Sequence, residues 1–202
     1  MGASLSIALL SIGDGRDEIH DRAHESIKAS LNLRRFDQHI VVDDRDHKLG
    51  FAGAIQHGWD QIKCDFVFHM EMDFTFNWSV DIDPIIQTLE ERKYLVQIAL
   101  LRQPVNPIEI EAGGVIQQNP GAYQQLELND GRAWVEHSQF FTTNPCIYPA
   151  WVMRRGWPQR AESEGHFGIE LFKEDPARRS AFWGHGEQWV SHVGDYRAGV
   201  GY

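Results

Sequence analysis

The chain has 202 residues, of which 42% are hydrophobic and 24% charged, and its 29 acidic against 19 basic side chains give a formal net charge of −10. That size and composition suit one globular domain with a real core and argue against a disordered or fibrous chain. The acidic balance speaks against a broad polyanion-binding surface, and two isolated cysteines, Cys64 and Cys146, speak against a disulfide scaffold or a CxxC zinc site.

The first apolar run, Leu5 to Ile12, reads as a strand closed by the turn Gly13-Asp14-Gly15. It lacks a basic start and is too short to span a membrane, so the expectation is a soluble cytoplasmic protein with no membrane partner. Ile19, Ala23, Ile27 and Leu31 recur every four residues and predict a helix. QHIVVDD (38–44) reads as a second strand ending in two carboxylates. GFAGAIQHGWDQI (50–62) reads as a helix with Phe51, Ile55, Trp59 and Ile62 on one face. FVFHMEMDFTF (66–76) is a third strand. Asp83 and Pro84 then supply an N-cap and first-turn proline for a helix. YLVQIAL (94–100) is a further strand, and 102–132 reads as loops with a hairpin. QFFTTNPCIY (139–148) is strand-like, Pro149 opens a helix through Arg155, and another short helix falls within 165–180. Strands alternating with helices predict a single-domain α/β fold with a mainly parallel sheet.

The segment 66–76 carries the strongest chemical signal. Its even positions, Phe66 to Phe76, are all apolar, whereas His69, Glu71 and Asp73 share the other face. Two carboxylates this close repel unless a cation joins them, and oxygen ligands favour magnesium or manganese. The plain alternative is an amphipathic edge strand with a wetted acidic face. Against it, Asp43 and Asp44 close the second strand, and the first ends at Gly13, as ligand sites in open α/β sheets require. His20 and His24 approach the spacing of a zinc helix but lack its glutamate, and the Ile19 stripe already explains that helix.

In this order the elements resemble a family-2-type nucleotide-sugar glycosyltransferase of the GT-A fold, particularly its small phage-encoded members. LSIALLSIGDGRD is similar to the first strand and base-binding loop, VVDDRD to the second strand, and HMEMDF to the metal-binding acidic motif, with Met72 where the family has a further acid. ESEGHFGIELF (162–172) resembles the motif that carries the general base, and SHVGDYRAGVGY (191–202) the tail whose histidine reaches the metal. The resemblance implies a metal-dependent transferase with a nucleotide-sugar half, 1–100, and an acceptor half, 101–202. The donor is then a UDP-sugar, bound through Gly13, Asp14, Asp43 or Asp44, Gly50 and Arg197. Mn2+ or Mg2+ is held by Glu71, Asp73 and His192, with His185 competing for the last place. Glu164, or secondly Glu162, is the base of an inverting displacement. Trp151, Trp157 and Trp183 are stacking candidates. The acceptor implied is a hydroxymethylated DNA base or a virion protein, in a host cytoplasm. The alternatives are a nucleotidyltransferase, although no lysine precedes Lys28 to serve a phosphate loop, and a non-catalytic nucleotide- or sugar-binding module.

Overall fold

The computed structural model describes residues 5–13, 17–44 and 48–194; Asp14 and Arg197 lie outside these segments. Strand β1 (Ile7–Gly13) is buried along its whole length because helices cover both of its faces. It pairs in parallel with β2 (Gln38–Asp43) on one side and β3 (Phe66–Glu71) on the other. The connections are α1 (Asp17–Ser30) and α2 (Gly50–Trp59). The chain continues through β4 (Phe74–Phe76), α3 (Asp83–Glu91), β5 (Leu95–Ala99), α4 (Pro107–Ala112), α5 (Val115–Gln118), β6 (Gln124–Glu127) and β7 (Ala133–His137). It ends in β8 (Cys146–Pro149), α6 (Ser163–Glu174), β9 (Arg179–Trp183) and β10 (Val190–His192).

The main sheet has the order β2-β1-β3-β8-β5-β9-β7-β6. The pairings make β8 and β7 run against the other strands, so the sheet is mixed but mainly of one direction, as expected. Side chains divide by strand alternation. Ile7, Leu9, Phe66, Phe68 and Met70 join Ala23 and Ile27 of α1 and Ile85, Ile86 and Leu89 of α3 in one core. Leu10, Ile12, Val67 and Tyr148 join Ile55 and Trp59 of α2 and Phe167 and Leu171 of α6 in the other. Close approach on this second side needs a glycine: a Cβ at Gly168 of α6 would stand 2.8 Å from the Phe141 amide nitrogen.

Several boundaries differ from the sequence reading, for physical reasons. The run 66–76 is not one strand. β3 ends at Glu71, Met72 and Asp73 turn the chain, and β4 leaves the main sheet to pair antiparallel with β10. Nor is β3 a wetted edge: it sits between β1 and β8, and every one of its residues is buried. Of 139–148 only the last residues are strand; Phe141 to Thr143 are a buried loop. Residues 150–155 form a 3-10 turn rather than an α-helix. Asp83 does not cap α3, because its carboxylate is taken by Arg35 at 2.6 Å, and Asp81 Oδ1 instead accepts from the Asp83 amide. Of the hairpin expected within 102–132 only β6 lies there; its partner β7 begins at Ala133, beyond that range. α4 was hidden by its shortness, though Asn106 caps it through the Glu109 amide.

Candidate active site

The parallel strands bring their carboxyl ends together, and of the residues singled out by sequence Gly13, Asp43, Asp44, Glu71 and Asp73 lie at those ends. Gly13 pairs with Asp43 at the ends of β1 and β2. The His20 ring lies against Gly13, so close that a Cβ there would meet it at 2.1 Å. This explains a glycine at that position and gives His20 a place at the end of β1 rather than in a zinc helix. Asp44 is occupied structurally: its two oxygens accept from the amides of Leu49 (2.5 Å) and Gly50 (2.9 Å), fixing the entry to α2. Asp43 is half-buried at the strand end.

Asp73 follows in the turn after β3. Its backbone carbonyl accepts from Val193 N at 2.7 Å, and its Oδ2 lies 3.2 Å from Nε2 of His192, both side chains being more than nine-tenths buried. The approach is built by β10, which pairs His192 with Phe74. Gln103 grips the His192 peptide from the other side, accepting from its N–H and donating to its carbonyl, each at 2.9 Å. His185 lies in the exposed β9–β10 connection, and its amide donates to Glu187. Glu71 is buried at the end of β3. Among the described residues no three His, Cys, Asp or Glu side chains stand together as a metal site; of the expected set, Asp73 and His192 are in contact.

On the α2/α6 side lies Glu164, in the first turn of α6 and 8% exposed. Its Oε1 accepts from the Thr143 amide at 2.6 Å and from the Thr143 hydroxyl at 3.1 Å. Burial pushes this carboxyl above the ordinary glutamate range, partly offset by the Thr143 and Thr142 groups and by Arg102. Glu162, by contrast, is exposed at the left-handed turn before the helix (φ 53°). Sequence reasoning did not find Thr142 and Thr143, because the strand pattern of 139–148 concealed a loop.

Other candidates are structural. His69 Nδ1 lies 3.0 Å from the Tyr148 hydroxyl, which accepts from Trp59 Nε1 at 2.8 Å, and burial pushes the imidazole down to about 3. Trp157 is buried, stacks on Phe167 and donates to Ser163 Oγ at 2.9 Å. Trp151 follows β8 at the opposite end of the sheet, with Arg178 over its ring at 5.0 Å. Trp183 ends β9, on the same side as the candidate site. Arg102 is bound by two hydrogen bonds to Glu109, at 2.7 and 3.1 Å. Burial alone would raise the Glu109 carboxyl, but Arg102 and the Val105 amide hold it below the ordinary range.

In class, this is a mixed, mainly parallel α/β sheet flanked by helices, and solved structures share that fold. The particular likeness is to S. aureus TarS. Crystal structures of its residues 1–349 superpose with TM-scores of 0.56 for the protein alone, 0.60 with UDP and 0.60 with UDP-GlcNAc. They cover 94%, 93% and 96% of this chain, at 7%, 11% and 10% identity. The chain spans 60% of the length of those solved chains. No protein-family model and no curated protein matches the sequence. No helix among the described residues is long and apolar enough to cross a membrane.

Proposed function

We propose that the chain is a glycosyltransferase that moves a sugar from a nucleotide-sugar donor, a UDP-sugar, to an acceptor hydroxyl with inversion. The observation that carries this reading is Glu164, a buried carboxylate held at the carboxyl end of the sheet, with burial raising its proton affinity. A general base needs that combination of fixed geometry and raised basicity. Support for the donor comes from the fold shared with TarS, solved with UDP and UDP-GlcNAc.

In this mechanism Asp43 and Gly13 line the nucleoside end, and Asp44 acts by shaping the turn at Gly50. Asp14 and Arg197 remain donor-binding candidates. Glu164 takes the proton from the acceptor hydroxyl as it attacks the anomeric carbon, and the diphosphate departs. Glu162, exposed before the helix, is the weaker candidate. Asp73 and His192 are the pair that would hold a divalent ion of the magnesium or manganese type. Asp73 offers oxygen and His192 nitrogen, Glu71 stands at the end of the adjoining strand, and such ions commonly complete their shell with substrate phosphates. When bound, the ion would neutralise charge on the leaving diphosphate.

Residues 1–100 supply most of the donor site and 101–202 the acceptor side, with His192 crossing over. Of the two acceptors, a hydroxyl on a virion-type protein is favoured over a hydroxymethylated DNA base. The arginines available for a basic rim are largely neutralised: Arg102 by Glu109, Arg132 by Asp130 and Glu91, Arg155 and Arg178 by Glu174. A DNA groove needs unpaired cations.

Thermal unfolding with nucleoside diphosphates, with and without manganese, tests the donor site. A manganese-dependent stabilisation by UDP that Asp73→Ala abolishes is the expected result. No shift with any nucleotide would overturn the reading. A shift without UDP release from UDP-sugars would make the chain a binding module, and pyrophosphate exchange would make it a nucleotidyltransferase.

A further inference from the structure

Strand β5 reads LVQIA, and its one polar side chain, Gln97, is fully buried at the centre of the sheet. Burying an amide there is costly unless both of its ends are satisfied. They are, by the backbone N–H and C=O of one residue together with the Ser180 hydroxyl. In the orientation that satisfies both amide atoms, Gln97 nitrogen donates to the Thr142 carbonyl at 2.9 Å, and its oxygen accepts from the Thr142 amide at 2.9 Å and from Ser180 Oγ at 3.2 Å. Cys146 Sγ also donates to the Thr142 carbonyl, at 3.3 Å, and Thr142 Oγ1 accepts from the Asn144 amide at 3.2 Å.

Thr142 is thus held through its N–H, its C=O and its hydroxyl, and the next residue, Thr143, binds Glu164 through both its amide and its hydroxyl. Thr142, Thr143, Ser180 and Cys146 are all buried. A buried loop needs partners for its backbone N–H and C=O, and Gln97 supplies them at the residue next to Thr143. We propose that Gln97 and Thr143 are positioning residues for the Glu164 carboxylate: Gln97 locks the Thr142 peptide, and Thr143 in turn fixes Oε1 and with it the direction in which the carboxylate faces the reacting hydroxyl. This rests on Glu164 being the base. The groups facing Glu164 besides the threonines are the Arg102 guanidinium and the neutral Cys146 thiol, which also feels Glu71.

The test reads the Glu164 carboxyl directly, by carbon NMR of protein labelled at the glutamate carboxyl carbons, with the Glu164 signal assigned by its loss in Glu164→Gln. Thr143→Val removes the hydroxyl and keeps the amide and the shape. It is expected to move the Glu164 titration upward and to lower kcat for UDP-sugar turnover about tenfold or more, with KM for the donor little changed. Thr143→Ser restores both, and Gln97→Met moves the titration the same way as Thr143→Val. A Glu164 titration identical in wild type, Thr143→Val and Gln97→Met overturns the proposal, whatever the activity. A titration that moves in a protein with no UDP-sugar turnover sustains the clamp and overturns Glu164 as base. Near-UV circular dichroism identifies a variant that has lost its fold, and Thr143→Val alone then decides.

Discussion

Replacing Glu164 by glutamine separates catalysis from stability. The amide is nearly the same shape, and its oxygen still accepts from the Thr143 amide and hydroxyl, which now bind Oε1 at 2.6 and 3.1 Å. What is lost is the proton acceptor. General-base assistance contributes about 10²–10⁴-fold, which at about 1.4 kcal/mol per factor of ten is roughly 3–5 kcal/mol of barrier. Stability moves the other way. Burial is the main cause raising the Glu164 carboxyl, so its folded-state value lies above its unfolded one. The associated stability is fully present below the ordinary glutamate range and is lost as pH rises through the folded value. Glutamine carries no such loss. The variant should therefore unfold at a higher temperature than wild type at about pH 8, an advantage that shrinks as the carboxyl is protonated at acid pH. Release of UDP from UDP-sugars, with thermal unfolding across pH, measures both effects. Unchanged turnover, or a variant less stable than wild type at every pH, would refute the reasoning.

Two further outcomes follow from the buried groups. His69 and His137 are both pushed by burial from the ordinary 6.5 down to about 3, so the unfolded chain takes up protons that the folded chain refuses. Stability should fall as pH drops below 6.5, by up to about 1.4 kcal/mol per pH unit for each histidine, and urea unfolding of His137→Phe should show that contribution halved; an unaltered slope would contradict the assignment. Arg102→Met leaves Glu109, 6% exposed, without its bidentate partner. Denaturant unfolding should show a loss of about 3 kcal/mol, largely recovered when Glu109→Met is added, and a purely additive double variant would contradict the pair's role.

The first hundred residues were legible in the sequence and the rest largely not, for a reason visible in particular residues. Between Ile7 and Ala99 the strands are continuous apolar runs and the helices carry stripes such as Ile19, Ala23 and Ile27, so local pattern and tertiary burial agree. Beyond Leu101 the elements are short, and tertiary contacts decide them. β10 exists because β4 offers it an edge, and β9 because it lies between β5 and β7. The face of β3 that bears His69 and Glu71 is buried under α2 and α6, whose placement no local pattern encodes. His69 there became a partner of Tyr148, 79 residues away. Asp73 and Glu164 were identifiable as acids; that one lies in a turn against His192 and the other under a threonine was not.

Asp73 and His192 stand 119 residues apart in the chain. β10 comes after every strand of the main sheet, so in vectorial synthesis each of those strands leaves the ribosome ahead of the histidine. Closing so long a loop costs little more entropy than closing one half its length, yet it postpones the pairing to the end of folding. A chain ended before β10 would carry Asp73 without its imidazole neighbour.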